Sequence, residues 1–155
     1  MGDKIGVLNK GRLVQVGTPA EVYNAPINTF VARSVGTPPM NLIEGVLKGG
    51  EARMSADGFR LPVLANGRAE GRALVFGIRP ENLVLESGAA VAARVFDIED
   101  HGVIKILTLE VGETRLHATV SAQMKVKLDD EVRFGWKPEK VLLFDAKSGA
   151  NLALA

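Results

Sequence analysis

The stretch Phe76-Gly77-Ile78-Arg79-Pro80-Glu81-Asn82-Leu83-Val84-Leu85 returns 58 residues later as Phe134-Gly135-Trp136-Lys137-Pro138-Glu139-Lys140-Val141-Leu142-Leu143. The shared pattern is Phe-Gly-apolar-basic-Pro-Glu-x-apolar-x-Leu. Self-similarity of this length at one displacement marks a duplicated structural unit. In each copy an extended run ends at the basic residue, because proline fixes its own φ and pushes the preceding residue toward an extended conformation. The chain then turns over Pro-Glu and resumes as a strand. Residues 42–155 therefore read as two copies of one β-module.

The flanking sequence agrees. Segments 42–47, 59–64, 73–78, 82–87, 91–98, 103–111, 114–120, 131–136 and 140–144 are short and rich in Val, Leu, Ile and Phe, and Gly, Asn, Asp or Pro separates most of them. That texture predicts a mainly β fold, a small barrel or sandwich. Alternation is clearest at 114–120, where Thr114, Leu116, Ala118 and Val120 point one way and Arg115, His117 and Thr119 the other. The second set forms a polar face that either contacts a ligand or partner or is simply solvated, the simpler reading.

Ahead of this region, residues 3–17 read as a hairpin across Asn9-Lys10-Gly11, a turn that tolerates positive φ. Thr18-Pro19-Ala20-Glu21 opens a helix, with Thr18 as cap, Pro19 at the first helical position and Glu21 where a capping-box carboxylate reaches back. Pro26 stops it, and a second short helix runs from Asn28 or Thr29 to Val35, followed by Gly36 as its C-terminal cap.

Composition bounds the chemistry. The chain has 155 residues, 46% hydrophobic, no Cys, and 19 Lys and Arg against 18 Asp and Glu. This length buries a core without disulfides or metal. The absence of cysteine excludes a disulfide framework, a zinc-thiolate site and a cysteine nucleophile. Balanced charge is not the footprint of a nucleic-acid binder, although Lys125, Lys127, Arg133, Lys137 and Lys140 make a local basic stretch. Trp136, the only tryptophan, falls on the apolar alternation with Val132 and Phe134 and is expected in the core. No nucleic-acid partner is predicted.

No Gly-Lys dipeptide exists to build a phosphate-cradling loop, and nucleophile-elbow, zinc-protease and calcium-loop patterns are absent as well. Asp97, Glu99, Asp100 and His101 are the densest set of possible metal ligands. Turn chemistry around Asp100-His101-Gly102 is the preferred reading, so neither a metal nor a cofactor is expected. Arg79, Pro80 and Glu81, with Lys137, Pro138 and Glu139, read as structural turn residues that also offer an interface.

Four spaced motifs resemble one family. Met1 to Tyr23 is similar to the stretch after the switch histidine in the ATP-hydrolysing subunits of ABC importers. Asn28-Thr29-Phe30-Val31-Ala32 and Gly36-Thr37-Pro38-Pro39-Met40-Asn41-Leu42 resemble the passage into that family's C-terminal regulatory domain, and Gly77 to Leu83 resembles the domain's most recognisable motif. The Pro-Pro-Met-Asn-Leu junction is most like the carbohydrate branch, which includes maltose and glycerol-phosphate transporter subunits.

The resemblance implies two tandem oligonucleotide/oligosaccharide-binding (OB)-like β-modules forming a small barrel domain over 41–155, preceded by a hairpin and two helices over 1–40 left from an ATP-binding domain. It implies a non-catalytic regulatory and dimerisation domain at the cytoplasmic face of the membrane. The partners implied are a second copy, the membrane-spanning transporter subunits and a regulatory protein. Gly77, Arg79, Pro80, Glu81, Gly135, Lys137, Pro138 and Glu139 are the motif and possible interface residues. The phosphate loop, signature motif and catalytic residues of an ATPase are missing, so no ATP hydrolysis is expected. A hairpin built to pack on another domain should expose apolar surface and be mobile or drive association. The alternative is a small-ligand module sensing an oxyanion or sugar, with Arg115, His117 and Thr119 as a possible contact face.

Overall fold

The computed structural model describes residues 3–56, 58–64 and 69–153; Met1 and Gly2 of the family-like stretch, and the last two residues, lie outside them. Strand β1 (Ile5–Asn9) and β2 (Arg12–Gly17) form the N-terminal hairpin. Its turn places Lys10 at φ 51° and Gly11 at φ 79°, the paired positive-φ geometry whose twist matches a tight hairpin. Helix α1 (Pro19–Asn24) begins with the expected capping box, Thr18 accepting from the Glu21 amide and Glu21 reaching back to the Thr18 amide. Helix α2 (Thr29–Ser34) is capped by Asn28, whose side chain accepts from the Val31 amide. Both helices have six residues. Helices this short do not hold themselves together in water, so tertiary contacts must hold them.

The remaining strands are β3 (Asn41–Lys48), β4 (Glu51–Met54), β5 (Arg60–Pro62), β6 (Ala73–Ile78), β7 (Leu83–Leu85), β8 (Val91–Asp100), β9 (Ile104–Val111), β10 (Thr114–Ser121), β11 (Glu131–Trp136) and β12 (Leu142–Asp145). Strand β4 was not foreseen, because four residues with Glu51 and Arg53 between Ala52 and Met54 carry too little apolar signal. Residue 82 belongs to a 3-10 turn, Pro80–Asn82, and its counterpart is Pro138–Lys140.

Two five-stranded sheets form, in the orders β12-β6-β3-β4-β5 and β10-β9-β8-β11-β7. The modules are not separate beads. β6 begins the first copy of the repeat in one sheet and β7 ends it in the other, while β11 and β12 do the reverse. The closing strand of each copy therefore pairs with the opening strand of its twin, and the registers coincide. Phe76 faces Leu143 and Gly77 faces Leu142, just as Phe134 faces Leu85 and Gly135 faces Val84. This exchange makes one barrel-like body around one core.

That core contains Leu74, Phe76, Ile78, Leu107, Leu109, Leu116 and Phe134, all fully buried. Each such side chain contributes about 1.5–3 kcal/mol of burial free energy. Trp136 is 6% exposed, as expected, and its indole N–H donates to the Pro62 carbonyl at 2.7 Å. The hairpin packs Val7 on Val22 and Val31 in a small cluster of its own, and exposes Ile5, Leu8, Leu13 and Val16. The expected apolar surface is present there.

Candidate functional site

The two copies of the repeat differ most at the basic residue. Arg79 is 4% exposed and its guanidinium reaches the ends of both helices. Nη1 donates to the carbonyls of Ala32 at 3.1 Å and Val35 at 2.9 Å, and Nη2 donates to the carbonyl of Tyr23 at 2.7 Å. The last carbonyls of a helix have no partner within it, and a cation there satisfies them. One planar fork thus closes two helix ends, which an ammonium group has neither the reach nor the geometry to do. Only Nε among the buried side-chain polar atoms of the described residues has no hydrogen-bond partner.

Tyr23 completes the joint. Its ring lies 4.0 Å below the guanidinium carbon, and its hydroxyl donates to Glu81 Oε2 at 2.5 Å. The phenol is pushed up to about 12 by desolvation first, then by the hydrogen bond to Glu81 and that carboxylate's charge, with Arg79 opposing. Burial pulls the Arg79 guanidinium below its ordinary value, against the support of Tyr23 and Glu81. It remains cationic at any physiological pH. Gly36 makes room for the joint: it sits at φ +93°, and a Cβ there would stand 3.1 Å from the Tyr23 ring and 3.3 Å from Arg79 Nη1.

The C-terminal turn holds the same segment from another side. Asn151, 3% exposed, donates through Nδ2 to the Pro26 carbonyl at 2.9 Å, and its amide donates to Ile27 at 2.9 Å. The Thr29 amide donates to Gly149. Ala32, Met40 and Phe144 form a buried cluster against the outer face of the first sheet.

In the second copy Lys137 and Glu139 are exposed and Pro138 is half-buried. Gly77 is crowded, since a Cβ would lie 2.5 Å from Met40 Sδ and 2.8 Å from a Phe144 ring carbon, whereas at Gly135 nothing lies within 4 Å. Arg79, Pro80 and Glu81 thus do more than shape a turn, a role the sequence reading did not anticipate. The signal available was the change from Arg79 to Lys137, one of several differences between the copies. Pro80 is itself buried, at the start of the turn.

Arg115, His117 and Thr119 do not converge on a cavity. Arg115 is exposed, with its guanidinium carbon 3.7 Å from the centre of the Phe96 ring and Nε 3.3 Å from Glu110. Arg94 joins this network through Glu110 at 2.7 Å and through Asp129. His117 and Thr119 are half-buried, and His117 Nδ1 lies 3.4 Å from Thr108 Oγ1. Asp97, Glu99 and Asp100 lie in β8 rather than in a turn, which begins after Asp100. Among the described residues no group of three His, Cys, Asp or Glu side chains is placed to hold a metal, and no helix is long and apolar enough to cross a membrane.

Paired, strand-exchanged β-modules with a hairpin and two helices riveted to them by a buried arginine define a small accessory domain. Residues 36–83 match the MalK OB fold domain and residues 76–144 match the TOBE domain. The trehalose/maltose import ATP-binding protein MalK of Thermococcus litoralis is 36% identical over 163 residues, covering 96% of this chain and 44% of that protein. The sulfoquinovosyl glycerol transport ATP-binding protein SmoE of Agrobacterium fabrum is 36% identical, covering 98% and 44%. The sn-glycerol-3-phosphate import ATP-binding protein UgpC of Ruegeria pomeroyi is 33% identical, covering 99% and 43%. The chain belongs to the family of OB/TOBE domains found in ABC importer ATP-binding subunits. It spans less than half the length of these relatives, and the matched region is the OB/TOBE part and not an ATPase domain. Among solved structures, the cytoplasmic molybdate-binding protein ModG, in a crystal form with molybdate bound, shares the fold at TM-score 0.56 and 19% identity, over 66% of this chain and 94% of that one.

Proposed function

We propose that this chain is the non-catalytic regulatory and dimerisation part of an ATP-binding subunit for carbohydrate-type import. On this reading residues 1–40 belong to the edge of the ATP-binding domain and residues 41–155 to the regulatory barrel. The observation that carries it is the Arg79 joint. A buried guanidinium with three carbonyl partners on two helix ends makes the N-terminal segment and the barrel move as one body, so a contact at the barrel is felt at the ATP-binding side. The whole subunit would work with membrane-spanning partners at the cytoplasmic face of the membrane, and a regulatory protein would act through the barrel. A second copy would meet the barrel through an isologous contact.

Sedimentation over a wide concentration series tests the dimer. A reversible monomer–dimer equilibrium is the expected result, and a strict monomer at every concentration overturns dimerisation. The same preparation is expected to show no metal-dependent ATP turnover.

A second reading is a ligand-sensing module for an oxyanion or sugar. The fold shared with ModG, a molybdate-binding protein, supports it.

A further inference from the structure

We infer that the cavity between α2, the outer face of β3 and β6, and the turn after β12 binds a small phosphate-bearing polyol, a sugar phosphate. This gives the ligand-sensing reading a place and a ligand class; the dimerisation reading does not depend on it. The cavity is about 490 Å³, within the range of small-molecule sites. Met40, Leu42 and Val75 supply an apolar floor. Six polar side chains line it: Thr29 and Arg33 from α2, Glu44 from β3, Asp145 at the end of β12, and Lys147 and Ser148 from the turn.

The bonding ledger of the turn decides what those groups can take. Asp145 is the one acid there, and its carboxylate is already committed: Oδ1 accepts from Arg72 at 2.9 Å, and Oδ2 accepts from the amides of Lys147 at 3.1 Å and Ser148 at 2.7 Å. Asp145 is held below the usual carboxylate range, first by its bonds from Ser148, and so stays ionised and spoken for. The Ser148 hydroxyl is engaged as well, with its oxygen accepting from the Ala150 amide at 3.1 Å and its side chain bonded to Asp145. Arg33 and Lys147 are exposed, and neither side chain has an ion pair or hydrogen bond among the described residues. Two uncommitted cations lining one cavity with the Thr29 hydroxyl suit a phosphate. Glu44 also lines the cavity, with a carboxylate that has no partner among the described residues, an acceptor for the hydroxyls of a polyol. An inorganic anion would use only half of this arrangement.

The occupant would bridge α2, which Arg79 ties to the barrel, and the C-terminal turn, which bonds to Pro26, Ile27 and Thr29. Ligand binding would therefore stiffen the joint itself.

Titration calorimetry with glucose 6-phosphate, sn-glycerol 3-phosphate, inorganic phosphate and glucose, on the chain and on Arg33→Ala/Lys147→Ala, tests the site. Lys137→Ala, whose cation lies outside the cavity, is the control. A saturable heat with a phosphorylated polyol that exceeds the response to phosphate or glucose is expected, weakened at least about tenfold in the double variant and unchanged in the control. Glu44→Gln should reduce the preference for the polyol over inorganic phosphate. Neither Arg33 nor Lys147 holds the fold, so an unchanged unfolding midpoint certifies the variant. No saturable heat with either phosphorylated polyol overturns the proposal, as does binding that the double variant leaves intact or a response to inorganic phosphate alone. Sedimentation of the unliganded chain judges dimerisation separately.

Discussion

The side-chain amide of Asn41 takes the place of a strand beside His117. Nδ2 donates to the His117 carbonyl at 2.9 Å while Oδ1 accepts from the His117 amide at 2.8 Å. Asn41 opens β3 in one sheet and His117 lies mid-strand in β10, the edge of the other. An edge strand presents unpaired backbone groups that invite another chain, and a buried amide closes this one. Asn41→Ala should cost about 1–3 kcal/mol in urea denaturation, because both His117 groups lose their partner. Asn41→Asp should also destabilise, since a carboxylate cannot donate to the carbonyl. A cost below a few tenths of a kcal/mol for Asn41→Ala would show that water replaces the amide freely.

The asymmetry of the repeat predicts opposite outcomes at equivalent glycines. Gly77→Ala must displace Met40 and Phe144, and overpacking of this kind costs about 1–3 kcal/mol. Gly135→Ala meets open space and should be neutral or stabilising by up to about 1 kcal/mol, since alanine restricts the unfolded chain. Unfolding midpoints of the two variants, measured side by side, should differ in sign or at least clearly in size.

Arg79→Lys should fail to rescue what Arg79→Ala loses. An ammonium keeps the charge but cannot serve Tyr23, Ala32 and Val35 together, so at least two carbonyls lose a charge-assisted bond worth about 1.5–3 kcal/mol each. Lys137→Ala, the equivalent substitution in the second copy, should stay within about 0.5 kcal/mol of the parent. Denaturant titrations of the three variants decide it.

Alkaline pH should loosen the same joint. Tyr23 titrates from 10.0 in a free chain and near 12 in the fold. A raised pKa in the folded state gives stability that is complete below the unfolded value and is lost as pH climbs toward the folded one. Stability should therefore fall between pH 10.0 and about 12, and Tyr23→Phe should remove that part of the decline. As Tyr23 is the only tyrosine, phenolate absorbance reports its titration without ambiguity. A midpoint near 10 in the folded protein would mean that the phenol is neither desolvated nor bonded to Glu81 as described.

Much of this architecture was legible in the residues. The Phe-Gly-x-basic-Pro-Glu repeat locates four strands, and the apolar segments 73–78 and 131–136 coincide with β6 and β11, each of which ends one residue before the basic residue expected to close it. Thr18 to Glu21 states the start of α1. The reciprocal strand exchange was not legible, since a repeat reveals kinship between segments but not which segment pairs with which. Arg79 was missed for a related reason. Its partners are backbone carbonyls 44 to 56 residues earlier, and a carbonyl leaves no mark in sequence. The polar face at Arg115, His117 and Thr119 follows the predicted alternation, yet Arg115 is engaged with Phe96 and Glu110 and His117 with Thr108, neighbours that period-two patterning does not reveal.

Hydrogen exchange on the parent and on Arg79→Ala addresses the joint most directly. In the parent, the Val22, Ala25, Ala32 and Val35 amides, which close the two short helices, should be protected to a degree comparable with the β6 amides. In Arg79→Ala those four should exchange much faster while the Leu107 and Leu109 amides of β9 keep their protection, because the helices lose their anchor and the barrel does not. Helix amides that exchange quickly in the parent, or that are equally protected in both proteins, would contradict the claim that Arg79 fastens the N-terminal segment to the barrel.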